Sequence, residues 1–208
     1  MARTRSLAPS LSIRPLTAKR WPDLVELFGR PGLSVARGCF CMYYRLSGNR
    51  ERPPGVTYAE LNRKALKALV DRGVVPGLLG YDGKRPVGWV SLGPREDYGK
   101  LRRSSVMKPV DDQPVWSIIC FVVDPEMRGR GVSEAMLKGA IAWARARRVK
   151  LLEAYPCDKP ARAADDSMWF GAKTMFDRAG FVEVARRKPM RPVVRKTLAA
   201  RGRARAKR

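Results

Sequence analysis

The stretch Val122-Val-Asp-Pro-Glu-Met-Arg-Gly-Arg-Gly-Val-Ser133 places two glycines and two arginines between a nearly all-apolar run and a helix-forming one. Such a junction holds anions. N–H groups in the first turn of a helix have no intrahelical acceptor, and with the helix dipole behind them they favour phosphate oxygens. Gly129 and Gly131 let the backbone approach a ligand where a Cβ would intrude, and Arg128 and Arg130 add positive charge. The loop lacks the Gly-Lys-Ser/Thr of a Walker phosphate loop. It also lacks the third glycine of a dinucleotide fingerprint, although Glu153 stands near the distance of that motif's acid.

Other chemistries are excluded by residue type. The chain has no histidine, which removes Ser-His-Asp and Cys-His nucleophile pairs in their usual form and any metal site that needs imidazole. Its four cysteines are Cys39, Cys41, Cys120 and Cys157. Cys39-Phe40-Cys41 has a single intervening residue, where a zinc knuckle has about two to four, so no metal is expected. Cys41 or Cys120 could carry an acyl group in principle, but nothing adjacent in sequence lowers a thiol pKa.

The elements that must position the loop follow from periodicity. Residues 115–123 read as a strand buried on both faces, the central one, and 134–147 as a helix with Ala135, Met136, Leu137, Ala140, Ile141 and Ala144 inward. A strand over 150–155 then completes a parallel strand-helix-strand unit. Upstream lie a short strand at 12–16, a helix after Thr17 carrying Trp21, Leu24, Val25 and Phe28, and a second helix after Thr57 closed by Gly73. A hairpin turns at Asp82-Gly83. Residues 94–114 read as a long polar loop able to lie over a site. Downstream come a helix at 169–178 ending at Gly180 and closing strands at 181–187 and 193–198.

One domain over 11–199 is expected, with a loose basic arm at 1–10 and a solvated basic tail at 200–208. The formal charge of +24, from 43 Lys and Arg against 19 Asp and Glu, gives a field that attracts polyanions, so some non-specific nucleic-acid affinity is expected through surface and tail. With no secretory signal and no run of about 20 apolar residues, a reduced cytoplasmic protein with no membrane partner is the expectation.

Arg128-Gly-Arg-Gly-Val-Ser133 resembles the R/Q-x-x-G-x-G/A signature of the GNAT (GCN5-related) N-acetyltransferase superfamily, preceded as in that family by a hydrophobic strand and a Val-x-Pro step. The order of elements over about residues 12 to 198 is also similar, including Ala179-Gly180-Phe181 after a helix. The resemblance implies an α/β fold: a central mixed β-sheet of about six to seven strands flanked by helices, with a splay between the fourth and fifth. It implies acetyl-CoA as co-substrate, with Phe121, Val122 and Val123 pairing with pantetheine like an added strand. Arg128, Gly129, Arg130, Gly131, Val132 and Ser133 would then grip the pyrophosphate, and the thioester would sit near Cys120 and Tyr155. An amine acceptor would attack directly in a ternary complex, and the family's frequent dimers make a homodimer an expectation.

Two departures matter. Ser133 stands where the third small residue of the signature falls, and Phe176 stands where many members carry the Tyr that protonates the departing CoA thiolate. With that acid absent, Glu153 is the candidate base, directly or through water, and Tyr155 the candidate acid, since alternation puts both on one face of a strand. The segment Cys39-Phe-Cys-Met-Tyr-Tyr44 falls where the family places its acceptor loop, so Cys39, Cys41, Tyr43 and Tyr44, with Cys120, are the acceptor-site candidates; such side chains suit a flat or apolar acceptor. Phe176 also gives weight to a second class of function, a non-catalytic CoA- or nucleic-acid-binding protein of the same shape.

Overall fold

The computed structural model describes residues 10–46, 51–159 and 168–198. The basic tail, and the N-terminal arm apart from Ser10, lie outside these residues. Seven strands form one mixed sheet: β1 (Ser12–Pro15), β2 (Gly77–Asp82), β3 (Arg85–Pro94), β4 (Trp116–Val123), β5 (Leu151–Ala154), β6 (Val182–Arg186) and β7 (Pro192–Thr197). They lie in the order β1-β2-β3-β4-β5-β7-β6, and only β4 and β5 run parallel. The hairpin forms as its turn residues dictate, with Asp82 opposite Arg85 and Gly83 at φ 57°.

The helices are α1 (Trp21–Gly29), α2 (Ser34–Cys39), α3 (Tyr58–Asp71), α4 (Gly99–Arg102), α5 (Val132–Ala146) and α6 (Lys173–Arg178). α3 begins in a capping box: the Glu60 N–H donates to Thr57 Oγ1 at 3.2 Å and the Thr57 N–H donates to Glu60 Oε2 at 2.7 Å. Strand alternation sends Leu79, Tyr81, Trp89 and Val122 into a core with α1, α2 and α3, and Leu78, Val90, Ile118 and Phe121 into another with α5 and α6. α5 lies so close to β1 that a Cβ on Gly139 would stand 2.7 Å from Ile13 Cγ1, which only glycine avoids. Among the described residues no helix is long and apolar enough to cross a membrane.

Two sequence expectations change. Residues 94–114 are not an open loop: a 3-10 turn at Arg95–Asp97 and α4 carry Tyr98 and Leu101 into a third core cluster with Ile119, Tyr155 and Val193. Burial of those two side chains holds the segment against the sheet. The helix expected from residue 169 starts only at Lys173, because Gly171 takes φ 77° and a Cβ there would meet Met175 Cε at 2.6 Å.

Candidate active site

β4 and β5 pair only at Trp116↔Leu152, Ser117↔Glu153 and Ile118↔Ala154, then part. On its other side β4 pairs Ile118 with Leu92 and Cys120 with Ser91, so Ile119 is an extra residue, a β-bulge at the point where the splay opens. A cleft of about 1000 Å³ opens there. The loop at 128–134 forms one end of it, Ile119, Cys120, Phe121, Val122 and Val123 its floor, and Cys39, Cys41, Tyr43 and Tyr44 one wall. Met168, Trp169 and the start of α6 form the other. This second wall bridges the splay: the Phe121 N–H donates to the Trp169 carbonyl at 2.6 Å, and Cys157 pairs with Ala172. Of the donors that the resemblance offers to pantetheine, that of Phe121 is therefore taken.

Gly131 is the N-cap of α5, in the left-handed region at φ 78°, and Gly129 also has positive φ, 75°. A side chain would strain both positions. Arg128, Gly129, Gly131, Val132 and Ser133 line the cleft, whereas Arg130 is exposed and does not. The loop hangs from Asp124, which is 1% exposed. Its carboxylate accepts from the Glu126 N–H at 3.1 Å, from Arg85 Nη2 at 2.7 Å and from Arg30 Nη1. Sequence reasoning missed this anchor, although an Asp-Pro step directly after a buried strand is a signal for a side chain that caps the following turn.

The acceptor-side wall is built on unusual backbone. After α2, Phe40 and Cys41 are consecutive non-glycine residues at positive φ, 44° and 52°, conformations that persist only where the surroundings enforce them. Phe40 is held by Trp21 and Phe28, with ring centroids 6.1 and 5.3 Å away. Cys41 Sγ accepts from the Trp89 indole N–H at 3.2 Å. Tyr44 is half-buried, and burial pushes its hydroxyl up to about 12, so it stays a protonated donor. Tyr43 is exposed at the rim with Lys100 Nζ 3.5 Å from its ring centroid.

Glu153 and Tyr155 share a face, as expected, but neither lines the cleft, and both are fully buried. The Tyr155 hydroxyl donates to Glu153 Oε1 at 2.6 Å, Arg195 Nε donates to Oε2 at 2.8 Å, and Arg95 Nη1 lies 3.9 Å from Oε1. Because β5 ends at Ala154 and β7 covers its other edge, the pair points into a charged cluster beneath the sheet's end, so its placement lends no support to the acid–base roles expected of it. Burial pushes the Tyr155 hydroxyl well up, with the Glu153 charge next, which holds its proton. Phe176 is likewise core, edge-on to Phe121 and Phe181 at 6.1 and 5.1 Å, and does not touch the cleft. Among the described residues no three of His, Cys, Asp and Glu converge to hold a metal ion.

The same cluster sets a pH response. Arg195 grips Asp111 with two hydrogen bonds, at 2.6 and 2.9 Å, and holds its carboxyl at about 2 against an ordinary 3.8. A folded value below the unfolded one stabilises above the unfolded pKa, and that stability is lost as pH falls toward the folded one. Asp111→Asn should therefore flatten the fall in melting temperature between pH 3.8 and about 2, as read by circular dichroism; an unchanged slope would place the acid sensitivity elsewhere.

A glycine-bent loop at the start of α5 thus meets the gap between two parted parallel strands, and residues 43–164 match the acetyltransferase (GNAT) family, a family of acyltransferases. The chain belongs to that family. Its fold is similar to that of a mosquito arylalkylamine N-acetyltransferase-like 5b at 12% identity and a TM-score of 0.54, over 91% of this chain and 100% of the other. It is similar to a Corynebacterium glutamicum structure described as histone acetyltransferase HPA2 and related acetyltransferase, at 18% identity, TM-score 0.51, over 91% and 97% of the two chains. An N-acetyltransferase from Staphylococcus aureus Mu50 matches at 14% identity, TM-score 0.51, over 91% and 99%. At these identities the likeness is one of fold. No curated protein sequence matches the chain.

Proposed function

We propose that the protein is an acyl-CoA-dependent N-acyltransferase that moves an acetyl group from acetyl-CoA to an amine. The observation that carries this reading is the junction of the loop at 128–133 with the open end of the β4–β5 pair. Anion donors at the start of α5 suit a pyrophosphate, and the floor of the cleft leading away from them is apolar, as a pantetheine arm needs. Val122 and Val123 take the contacts with the arm, and the acyl group lies toward Cys120. The acceptor enters between Tyr43, Tyr44 and Trp169, whose rings suit a flat or apolar amine.

The test is calorimetric titration of acetyl-CoA into the wild-type protein and Gly131→Glu, with ATP as a control for indiscriminate anion binding. Glutamate at φ 78° strains the cap and sets a carboxylate against the phosphates. Saturable wild-type binding, tighter than ATP and weakened by about 100-fold or more in the variant, is expected. Equal weak binding of both ligands to both proteins would overturn the reading. Gly131→Glu should leave polyanion binding and its salt dependence nearly unchanged, since that binding follows net surface charge.

A further inference from the structure

We propose that the Tyr44 hydroxyl receives the departing CoA sulfur, donating a hydrogen bond to the thiolate as the acyl group passes directly to the amine. The proposal rests on the reading of the cleft as an acyl-CoA site with the acyl group toward Cys120, and it assigns to that reaction a catalytic residue on the loop after α2.

The placement follows from packing where β4 and β5 part. Their pairing ends at Ile118↔Ala154, and Cys120 and Tyr155 lie just beyond that point on the two chains. Phe170 links Tyr155 to Tyr44, with ring centroids 6.5 and 5.5 Å away and edge-on contacts to both. Tyr44 and Cys120 pack against the same buried cluster, that of Ile119, Tyr155, Cys157 and Phe170, and both line the cleft. Tyr44 therefore stands at the vertex of the splay, beside the stretch of β4 where the donor reading sets the thioester.

Its hydroxyl is open to the cleft and has no hydrogen-bond partner among the described residues. The neighbouring buried tyrosines are committed, Tyr98 to Ser91 and Arg45, and Tyr155 to Glu153 and Ser117. Tyr43 is exposed at the rim, and Phe176 is core with no proton to donate. The backbone at Tyr44 is held from both sides. The Lys100 N–H donates to the Tyr44 carbonyl at 3.1 Å, and the next side chain, Arg45, is 5% exposed and donates to Asp97 at 2.9 Å. Upstream, Phe40 and Cys41 keep their left-handed backbone. A donor fixed before the reaction needs no reorganisation when charge develops beside it.

Burial pushes the Tyr44 hydroxyl up to about 12, above the ordinary thiol value of about 8.5, so its proton stays on oxygen. Tyr43, Cys39 on α2 and Cys120 on β4 act in the same direction as burial; the positive Arg191, stacked on Phe170 at 4.7 Å, acts against it and favours an anion nearby. The neutral amine attacks the acyl carbon; the C–N bond forms, the C–S bond breaks, and the electron pair leaves on sulfur as a CoA thiolate hydrogen-bonded to Tyr44. The ammonium proton passes to solvent, and the thiolate takes a proton from solvent on release. A thioester sulfur accepts hydrogen bonds weakly and a thiolate strongly, so the interaction grows as the C–S bond breaks and lowers the barrier.

The experiment is a binding cycle on the full-length protein. CoA and desulfo-CoA, which lacks the sulfur, are titrated by calorimetry into wild type and Tyr44→Phe at pH 6.5 and 9. A hydrogen bond to the charged form favours that form, so at pH 9 wild type should prefer CoA over desulfo-CoA by about tenfold more than Tyr44→Phe does, and at pH 6.5, with the thiol protonated, by about threefold at most. Because the hydroxyl has no protein partner among the described residues, the variant should melt at the wild-type temperature. With phenethylamine as probe acceptor, Tyr44→Phe should lose about 100-fold in kcat and keep its KM for acetyl-CoA within about twofold. Equal preference for CoA in the two proteins at both pH values overturns the assignment and leaves the donor reading intact. So does a preference of one size at both pH values, which marks packing alone, or a kcat within about threefold of wild type. Absence of CoA binding to wild type overturns both. The binding cycle decides the question whether or not phenethylamine is an acceptor.

Discussion

Glu153→Ala should lower the unfolding free energy by about 3–5 kcal/mol, because it leaves buried guanidinium charge without its counter-ion. Arg195 would keep Asp111, but Arg95, whose side chain is buried and whose Nη1 has no hydrogen-bond partner among the described residues, would lose the one carboxylate within 4 Å of that atom among those residues. The Tyr155 hydroxyl would keep only Ser117, at 3.1 Å. A melting temperature lower by about 10 °C is expected for a chain of this size. Acetyl-CoA affinity should not change, since the cluster does not line the cleft. Glu153→Gln, which keeps the shape and one acceptor oxygen but turns an amide NH2 toward the Tyr155 hydroxyl or Arg195 Nε, should cost less than Glu153→Ala. Full stability combined with lost acyl transfer would mean that Glu153 acts on the substrate, against its placement in the fold.

That placement marks where sequence reading stopped. The buried run at 115–123, the glycines at 129 and 131 and the amphipathic α5 were legible because each depends on local chemistry: apolar density, positive φ, and a 3.6-residue period. Alternation put Glu153 and Tyr155 on one face, but a strand's period does not say which face meets the ligand; that depends on β7, paired from more than forty residues downstream at Glu153↔Arg195. The same limit hid the environment of Cys41. Its donor is Trp89, 48 residues away, and its backbone is forced by packing of Phe40 on Trp21 and Phe28. No window of neighbouring residues carries that information. The α2 helix at Ser34–Cys39 was missed for a related reason: six residues with Gly38 among them have little intrinsic helicity, and burial of Ala36 against α1 and α3 supplies the rest.

Asp124→Ala should separate loop anchoring from stability. Removing the carboxylate leaves Arg30 and Arg85 facing one another, each keeping a single exposed partner, Glu26 and Glu126. The expected cost is about 3 kcal/mol, toward the low end for a buried ion pair because Arg85 is half-exposed and its charge can be solvated. Unlike loss of Glu153, this change should also weaken acetyl-CoA binding, by about tenfold or about 1.4 kcal/mol. The turn at Pro125–Met127 would lose the side-chain acceptor of the Glu126 N–H, and with it the contact that fixes the direction in which β4 hands the chain to Gly129 and Gly131. The N–H groups of α5 would still exist, but the donors on the loop would no longer converge on one point before the ligand arrives, and the ordering would have to occur on binding. Calorimetry at matched folded fraction distinguishes the cases: an unchanged dissociation constant alongside reduced stability would show that α5 alone organises the anion site.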